Sequence, residues 1–456
     1  MTKISRPSVA KPKVSETVAL LREIGVSPVR SLGQNFLHDR NLSRWIVDQI
    51  QPATGDYIVE IGPGLGALTE PLLNSGARVS VLEKDGRLAA FLQKKYSGAP
   101  LEVGHLDALN FDVRALFTER TVKLIGNLPY YISSQLLLKF LDYPSPISLA
   151  VLMLQKEMAD RITAEPGNKD YGALTVLIQR HYRVQFLKRV PKTVFIPRPE
   201  VDSAVIKITP RPVDELPVFD NDLFESLVRQ GFSQRRKQLR KLIANQVSDW
   251  PAAAAAVGVD EQARAENLGL EQWIALAKFV GSTAPAHTGF DAEERFPVVD
   301  ESDRVIGSAP RRKVHGDNLR HRSVHILLFG ENGEVFLQKR SRLKDQNPGL
   351  WDSSAAGHVL VGEEYDQAAQ RELAEELGIT ATLEPVAKLP ATDRTGREFV
   401  WLYRTRYRGP ISLNKQEIET GRHFPPAIVT GWIAARPGDF APGFAECWNV
   451  YLDRCR

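Results

Sequence analysis

The sequence predicts a chain of two α/β domains, and three observations carry that expectation. At 456 residues it exceeds what one hydrophobic core usually organises. From Tyr57 onward, short β-branched runs alternate with helical stretches, the pattern of a parallel sheet with crossover helices on both faces. Mostly helical text then runs from Asp222 to about Val280, and a new strand-rich pattern begins near Phe296. The expected boundaries are 14–210 for the first domain, 211–281 for a small helical subdomain, 282–295 for a Pro-, Ala- and Gly-rich linker, and 296–456 for the second domain.

Composition narrows the class. Apolar residues make up 43% and charged residues 25%, ordinary for a globular protein, and no segment has the apolar length to span a bilayer, so no membrane partner is expected. Met1 to Lys13 mixes Lys, Ser and Pro without an apolar core, so no secretory signal is read there and a cytoplasmic protein is expected. Cys447 and Cys455 lack the paired spacing of a zinc site or disulfide framework and read as reduced thiols. A net charge of +4 is too small to argue for nucleic acid by itself. Local clustering says more: Phe232 to Lys241 is expected to be a helical stretch with five basic residues in seven positions, able to neutralise phosphates without reading sequence.

Taken in order, the first strand-like run, YIVEIG, leads into E-I-G-P-G-L-G (Glu60 to Gly66) and a helix expected from about Leu65. Glycines at a strand-to-helix junction let backbone approach a ligand without a Cβ collision. Gly62, Gly64 and Ala67 also fit the dinucleotide pattern G-x-G-x-x-A, with Glu83 placed as a ribose-binding acid, so a nicotinamide oxidoreductase is an alternative. RVSVLEKD ends in Glu83, LEVGHLD in Asp107, and VKLIGNLPY in Asn127-Leu128-Pro129-Tyr130, so polar groups converge on one sheet edge. Methyl transfer to an adenine amine accounts for them together. That amine is a poor nucleophile, and a site must accept its N–H bonds and aim its lone pair. The Asn127 side-chain oxygen and the Leu128 carbonyl are candidate acceptors, and Tyr130 a candidate stacking ring.

Gln34-Asn35-Phe36-Leu37, E-I-G-P-G-L-G, N-L-P-Y and the run from Phe195 to Ser203 occur in the order seen in 16S rRNA adenine dimethyltransferases, which this chain resembles from about Val14 to Val280. The resemblance implies a Rossmann-like fold that binds S-adenosylmethionine through Asn35, Leu37, Gly62, Glu83, Asp107 and Asn127, with Glu83 on the ribose hydroxyls and Asp107 near the adenine. It implies that Phe195 packs on the target base opposite Tyr130, that the partner is 16S rRNA in the small ribosomal subunit, and that two adjacent adenosines near its 3′ end are dimethylated at N6. A 23S rRNA adenine methyltransferase is the nearest rival. A ribosome-assembly binding protein with inactive sites is a third class.

In the second domain Gly357, Glu363, Arg371, Glu372, Leu373, Glu375, Glu376, Gly378 and Ile379 satisfy the Nudix pattern G-x5-E-x7-R-E-U-x-E-E-x-G-U, U being aliphatic. A helix from about Tyr365 puts Glu372, Glu375 and Glu376 on one face, where like charges repel unless cations bind. Such oxygen ligands suit Mg²⁺ or Mn²⁺ bridging a small-molecule diphosphate and activating water. The resemblance implies an α/β/α fold. V-I-G, His315, His321-Arg322, N-P-G-L-W-D and Gly357-His358 further resemble the branch related to isopentenyl-diphosphate isomerase. The isomerases carry cysteines before the motif histidine where this chain has Ala355 and Ala356, so diphosphate hydrolysis is expected in place of isomerisation. His315, His321 and His358 form a second metal site with Glu417 or Glu419, or stand as separate hydrogen-bonding residues.

Overall fold

The computed structural model describes residues 14–28, 33–212, 215–216, 219–282 and 294–455. It falls into two compact units. The first holds the described residues up to Leu216 together with Val228–Asn245 and Gly258–Trp273, and the second holds the rest, so the helical segment is shared between them. The expected linker lies outside the described residues except at Ser282, Glu294 and Arg295.

Among the described residues nine strands belong to the first unit: β1 (Phe36–Leu37), β2 (Tyr57–Ile61), β3 (Arg78–Glu83), β4 (Leu101–His105), β5 (Val122–Asn127), β6 (Ile147–Gln155), β7 (Tyr182–Val190), β8 (Phe195–Ile196) and β9 (Ser203–Pro210). Seven form one sheet in the order β4-β3-β2-β5-β6-β9-β7, parallel through β6 and antiparallel at β9 and β7. Successive residues serve opposite faces: Ile58 and Ile125 join one apolar cluster, Val59 and Leu124 the other. A sheet buried on both sides explains the nearly continuous apolar text of these strands. Strand order reverses between β2 and β5, and a cleft opens beyond the carboxyl ends at such a point. The helix expected from Leu65 begins at Thr69, because Gly66 N–H closes a turn on Pro63 O at 2.9 Å.

The basic segment departs from expectation. The helix Asn221–Gly231 stops, Phe232 to Gln238 forms turns, and a short helix resumes at Leu239. Five cations in seven positions repel one another on a helix. Gly231 also abuts the Trp273 ring, where an added Cβ would lie 2.6 Å from Cη2, and Phe232 packs on that ring at 5.7 Å. Arg235, Arg236, Lys237, Arg240 and Lys241 are all exposed.

In the second unit β10 (Arg295–Val299) and β11 (Val305–Pro310) form a separate hairpin. The main sheet comprises β12 (His321–Phe329), β13 (Val335–Arg340), β14 (Trp351–Asp352), β15 (Ala355–His358), β16 (Glu384–Leu389), β17 (Glu398–Arg406) and β18 (Ile418–Phe424). The motif helix, Tyr365–Leu377, covers one face through Ala368, Leu373 and Leu377 against Val324, Ile326 and Leu328. Its start is a capping box between Glu364 and Gln367, and its end is Gly378 at φ 65°, a left-handed turn that glycine adopts without strain. The helix Pro442–Arg454 packs against β16. Among the described residues no helix is long and apolar enough to cross a membrane.

Gly126, beside Ile61 in the β2–β5 ladder, sets how closely the two site-bearing strands approach. An added Cβ there would lie 2.6 Å from Ile61 O. Gly126→Ala is expected to cost about 1–3 kcal/mol, read as a lower midpoint of the first unit's thermal transition; an unchanged transition would show that the ladder has room.

Candidate functional site

The cleft at the β2/β5 reversal is walled by Asn35, Gly62, Glu83, Asp107 and Asn127, each delivered by a strand end or the segment before β1. Asn127 closes β5. Its Nδ2 donates to Asn35 O at 3.0 Å, while its Oδ1 is buried and has no partner. The amide is therefore fixed with its acceptor unused. Glu83 ends β3, and its carboxylate accepts from Asp85 N at 2.9 Å and Gly64 N at 3.2 Å. Burial holds the Glu83 carboxyl above its ordinary value against those bonds. Gly62 and Gly64 sit at φ 64° and 57°, the left-handed region that the loop needs. Asp107 accepts from Leu109 N and pairs with Lys84 Nζ at 2.8 Å, and the Lys84 ammonium holds its carboxyl low.

Other expected residues fall elsewhere. Leu37 is paired with Phe195 in the β1–β8 ladder, and both side chains join the apolar cluster on one face of the sheet. Leu37 is thus a support behind the cleft and not part of its wall. Phe195 is 1% exposed, so in this structure its ring has no face free for a base, and the expected position against the base is corrected to a core position. Leu128 is buried with its N–H on Met153 O. The Tyr130 hydroxyl is 2.7 Å from Ser203 Oγ, and it is Tyr131, half exposed, that lines the cleft. Lys84, Leu106 and Tyr131 were not picked out in the sequence. Lys84 and Leu106 adjoin Glu83 and Asp107 at strand ends, which is the signal that could have found them.

In the second unit a polar cavity lies against the motif helix. Glu372 and Glu375 line it, but their charges are met from within. Arg371 donates to Glu372 at 2.8 Å and to Glu375 at 3.0 Å, and it also holds Glu363. Glu376 lies beneath, fully buried, accepting from Gln338, Lys344 and the Ala356 amide at 2.9–3.1 Å. Arg371 and Lys344 thus offset part of the charge that the three glutamates carry. Burial, then the Glu376 charge, still pushes the Glu372 carboxyl up. Gly357 makes room for that carboxylate, since a Cβ there would fall 2.0 Å from Glu372 Cδ.

Donor groups converge elsewhere in the same cavity. Among the described residues His315, His321, His358 and Glu398 bring ligand atoms within 4.8 Å of one another. His315 Nε2 and His358 Nε2 are 3.2 Å apart. Burial pushes the His358 imidazole down to about 3, so it is neutral and its approach to Glu398 at 3.4 Å is no ion pair. The acid is Glu398, a correction to Glu417 or Glu419. β17 runs parallel to β12 with Glu398 opposite His321, whereas Glu417 pairs with Lys344 at 2.8 Å and Glu419 with Arg342 at 3.0 Å.

The model of the ribosomal RNA adenine dimethylase family matches residues 28–281, and that of the NUDIX domain matches 319–442. Ribosomal RNA small subunit methyltransferase A of Bacillus mycoides (strain KBAB4) is 37% identical over 276 residues, covering 58% of this chain and 94% of its own. A dimethyladenosine transferase from Plasmodium falciparum is 25% identical, with 54% of this chain and 98% of that one covered and a TM-score of 0.47. The DR0079 protein of Deinococcus radiodurans is 27% identical over 36% of this chain and all of its own, with a TM-score of 0.31.

Glu60, at the start of the glycine loop, is 1% exposed and accepts from Thr69 Oγ1 at 2.6 Å. Burial raises its carboxyl from 4.5 to about 8. Above 4.5 the unfolded chain releases this proton while the folded chain retains it, so stability falls as pH rises until about 8 and then levels. Glu60→Gln keeps the acceptor and removes the titration. Its thermal midpoint relative to wild type should rise between pH 5 and pH 8; a difference that stays flat or shrinks would contradict a protonated Glu60.

Proposed function

We propose, from the premise that the chain belongs to the ribosomal RNA adenine dimethylase family, that it uses S-adenosylmethionine to dimethylate N6 of two adjacent adenosines near the 3′ end of 16S rRNA in the small subunit, in the cytoplasm. The chain is a methyltransferase that also carries a NUDIX hydrolase domain. The single observation that supports the reading best is the Asn127 amide, pinned by Asn35 and left with an unused acceptor.

The donor, when bound, supplies a methyl group already activated by a sulfonium. The cleft suits it: Glu83 offers carboxylate oxygens beside the glycine loop for ribose hydroxyls, and Asp107 a carboxylate for the base. Asn127 Oδ1 and the Leu128 carbonyl then accept the two N6 hydrogens and aim the lone pair, while Tyr130 offers a ring to the adenine. Positioning of this kind contributes more than proton removal, because the leaving group needs no further activation. The exposed Arg235, Arg236, Lys237, Arg240 and Lys241 hold RNA phosphates.

For the NUDIX domain the reading is metal-dependent hydrolysis of a small diphosphate. Glu372 and Glu375 with Glu376 behind them suit Mg²⁺ or Mn²⁺, and the three imidazoles with Glu398 suit Mn²⁺ or Zn²⁺. Arg311 and Arg340 add positive charge for phosphates. Ala355 and Ala356 support hydrolysis over isomerisation: Ala356 lines the cavity and offers no thiol. Kinship with the isomerase branch is part of the same proposal.

Asn127→Ala should keep most donor affinity and lose methyl transfer by roughly a hundred-fold or more, whereas Glu83→Ala should weaken donor binding. Undermethylated small subunits, labelled donor and mass spectrometry of the RNA measure both; near-wild-type turnover removes Asn127 from the mechanism. Glu375→Gln or Glu376→Gln should abolish diphosphate hydrolysis in a Mg²⁺ and Mn²⁺ titration while rRNA methylation persists, and unchanged hydrolysis would show that these carboxylates are not required.

A further inference from the structure

One part of the NUDIX cavity is claimed neither by the motif glutamates nor by the histidine cluster. On β12 alternate residues face the same way: His321, Ser323 and His325 line the cavity, while Val324 and Ile326 enter the core. Ser323 is 2% exposed, and its Oγ has no hydrogen-bond partner. His325 is 7% exposed and is held at one end only: Nδ1 meets Ser353 Oγ at 2.7 Å. Its Nε2 has no partner among the described residues and points at the first turn of the helix Pro442–Arg454, within 3.7 Å of where a Cβ on Gly443 would stand.

That helix begins against the same cavity with Ala441, Pro442 and Gly443 in the wall. Its N-cap, Ala441, brings no side chain to the free amides, and its first turn holds no acid. Pro442 lacks an N–H, which leaves the Gly443 amide as the donor without a partner among the described residues. The start of a helix of 13 residues carries partial positive charge, and here one unspent N–H, because the Phe444 and Ala445 amides already bond Ala441 O. The neighbouring Asp352 does not oppose an anion, because Arg340 Nη1 meets it at 2.9 Å and the Ser353 amide at 2.8 Å.

We infer that Ser323, His325 and the start of this helix form a subsite for a phosphoryl group of the substrate, separate from the phosphates held by the metal-binding face. The inference rests on the diphosphate-hydrolase reading and sharpens it: the substrate is a diphosphate bearing a further phosphoryl group. The Ser353 Oγ–Nδ1 contact fits either direction; in the proposed subsite the Ser353 hydroxyl donates, which puts the ring proton of His325 on Nε2 and makes Nε2–H, the Ser323 hydroxyl and the Gly443 amide the donors offered to an anion. An isoprenoid tail would leave all three unmet, at a desolvation cost that a hydrocarbon does not return.

Titration of the full chain with inorganic phosphate in metal-depleted buffer tests the subsite without help from the motif glutamates. Saturable binding is expected, weakened at least five-fold in His325→Leu and in Gly443→Asp and unchanged in Glu375→Gln. Gly443→Asp controls for folding: its Cβ makes ordinary contact with the ring, and an acid in a first helical turn is stabilising, so its melting midpoint should not fall while its carboxylate fills the subsite. Wild-type affinity in both floor variants, no saturable binding by the wild type, or equal loss in Glu375→Gln would each overturn the proposal. Phosphate bound at the floor by a chain that hydrolyses no diphosphate would instead remove the hydrolase reading and leave the subsite standing.

Discussion

Glu376 has no access to water, and a carboxylate in that position must be met by donors or take up a proton. Three donors from separate places answer it: the Gln338 side chain on β13, Lys344 in the following loop and the Ala356 amide on β15. One charge thereby draws two strands and a loop onto the motif helix, and the cavity wall is built on that junction. Losing a single partner would strand the charge, which costs more than the bond itself. The first unit applies the same rule at Glu83, where backbone amides of the glycine loop and of Asp85 converge on one buried carboxylate.

The two sites differ in what surrounds their acids. In the first unit the acids stand at strand ends beside a cleft whose unused groups are few, Asn127 Oδ1 chief among them. In the second, arginine and lysine are interleaved with the glutamates, and four further ligand-bearing side chains, His358 of the motif among them, gather in the same cavity. Such interleaving fixes the glutamates before any cation arrives, so the helix is shaped in advance of its ligand.

Much of this was legible in the sequence because it rests on short-range rules. Short apolar runs alternating with helical stretches gave the doubly covered sheet, and the motif spacing placed the helix at Tyr365, where the structure begins it. Glu83, Asp107 and Asn127 were found because strand ends are marked by where the apolar run stops. The misreadings involve distant pairs. Whether Phe195 faces a base or the core depends on Leu37, far away in the chain. That Glu398 joins the histidines depends on the parallel pairing of β12 with β17, a register no local pattern encodes. The turn at Phe232 depends on the Trp273 ring against Gly231.

The lack of a thiol in the lining of the NUDIX cavity has a chemical consequence. Of the two cysteines in the chain, Cys447 is fully buried, and burial drives its thiol well above its usual range, so it offers almost no thiolate. Cys455 is exposed close to the chain end and lines neither cavity. Thiol-directed electrophiles therefore meet one accessible thiol among the described residues, and it lines neither cavity. Neither cavity is lined by a thiol, and the same arrangement makes Cys455 a single natural point for attaching a thiol-directed spectroscopic label.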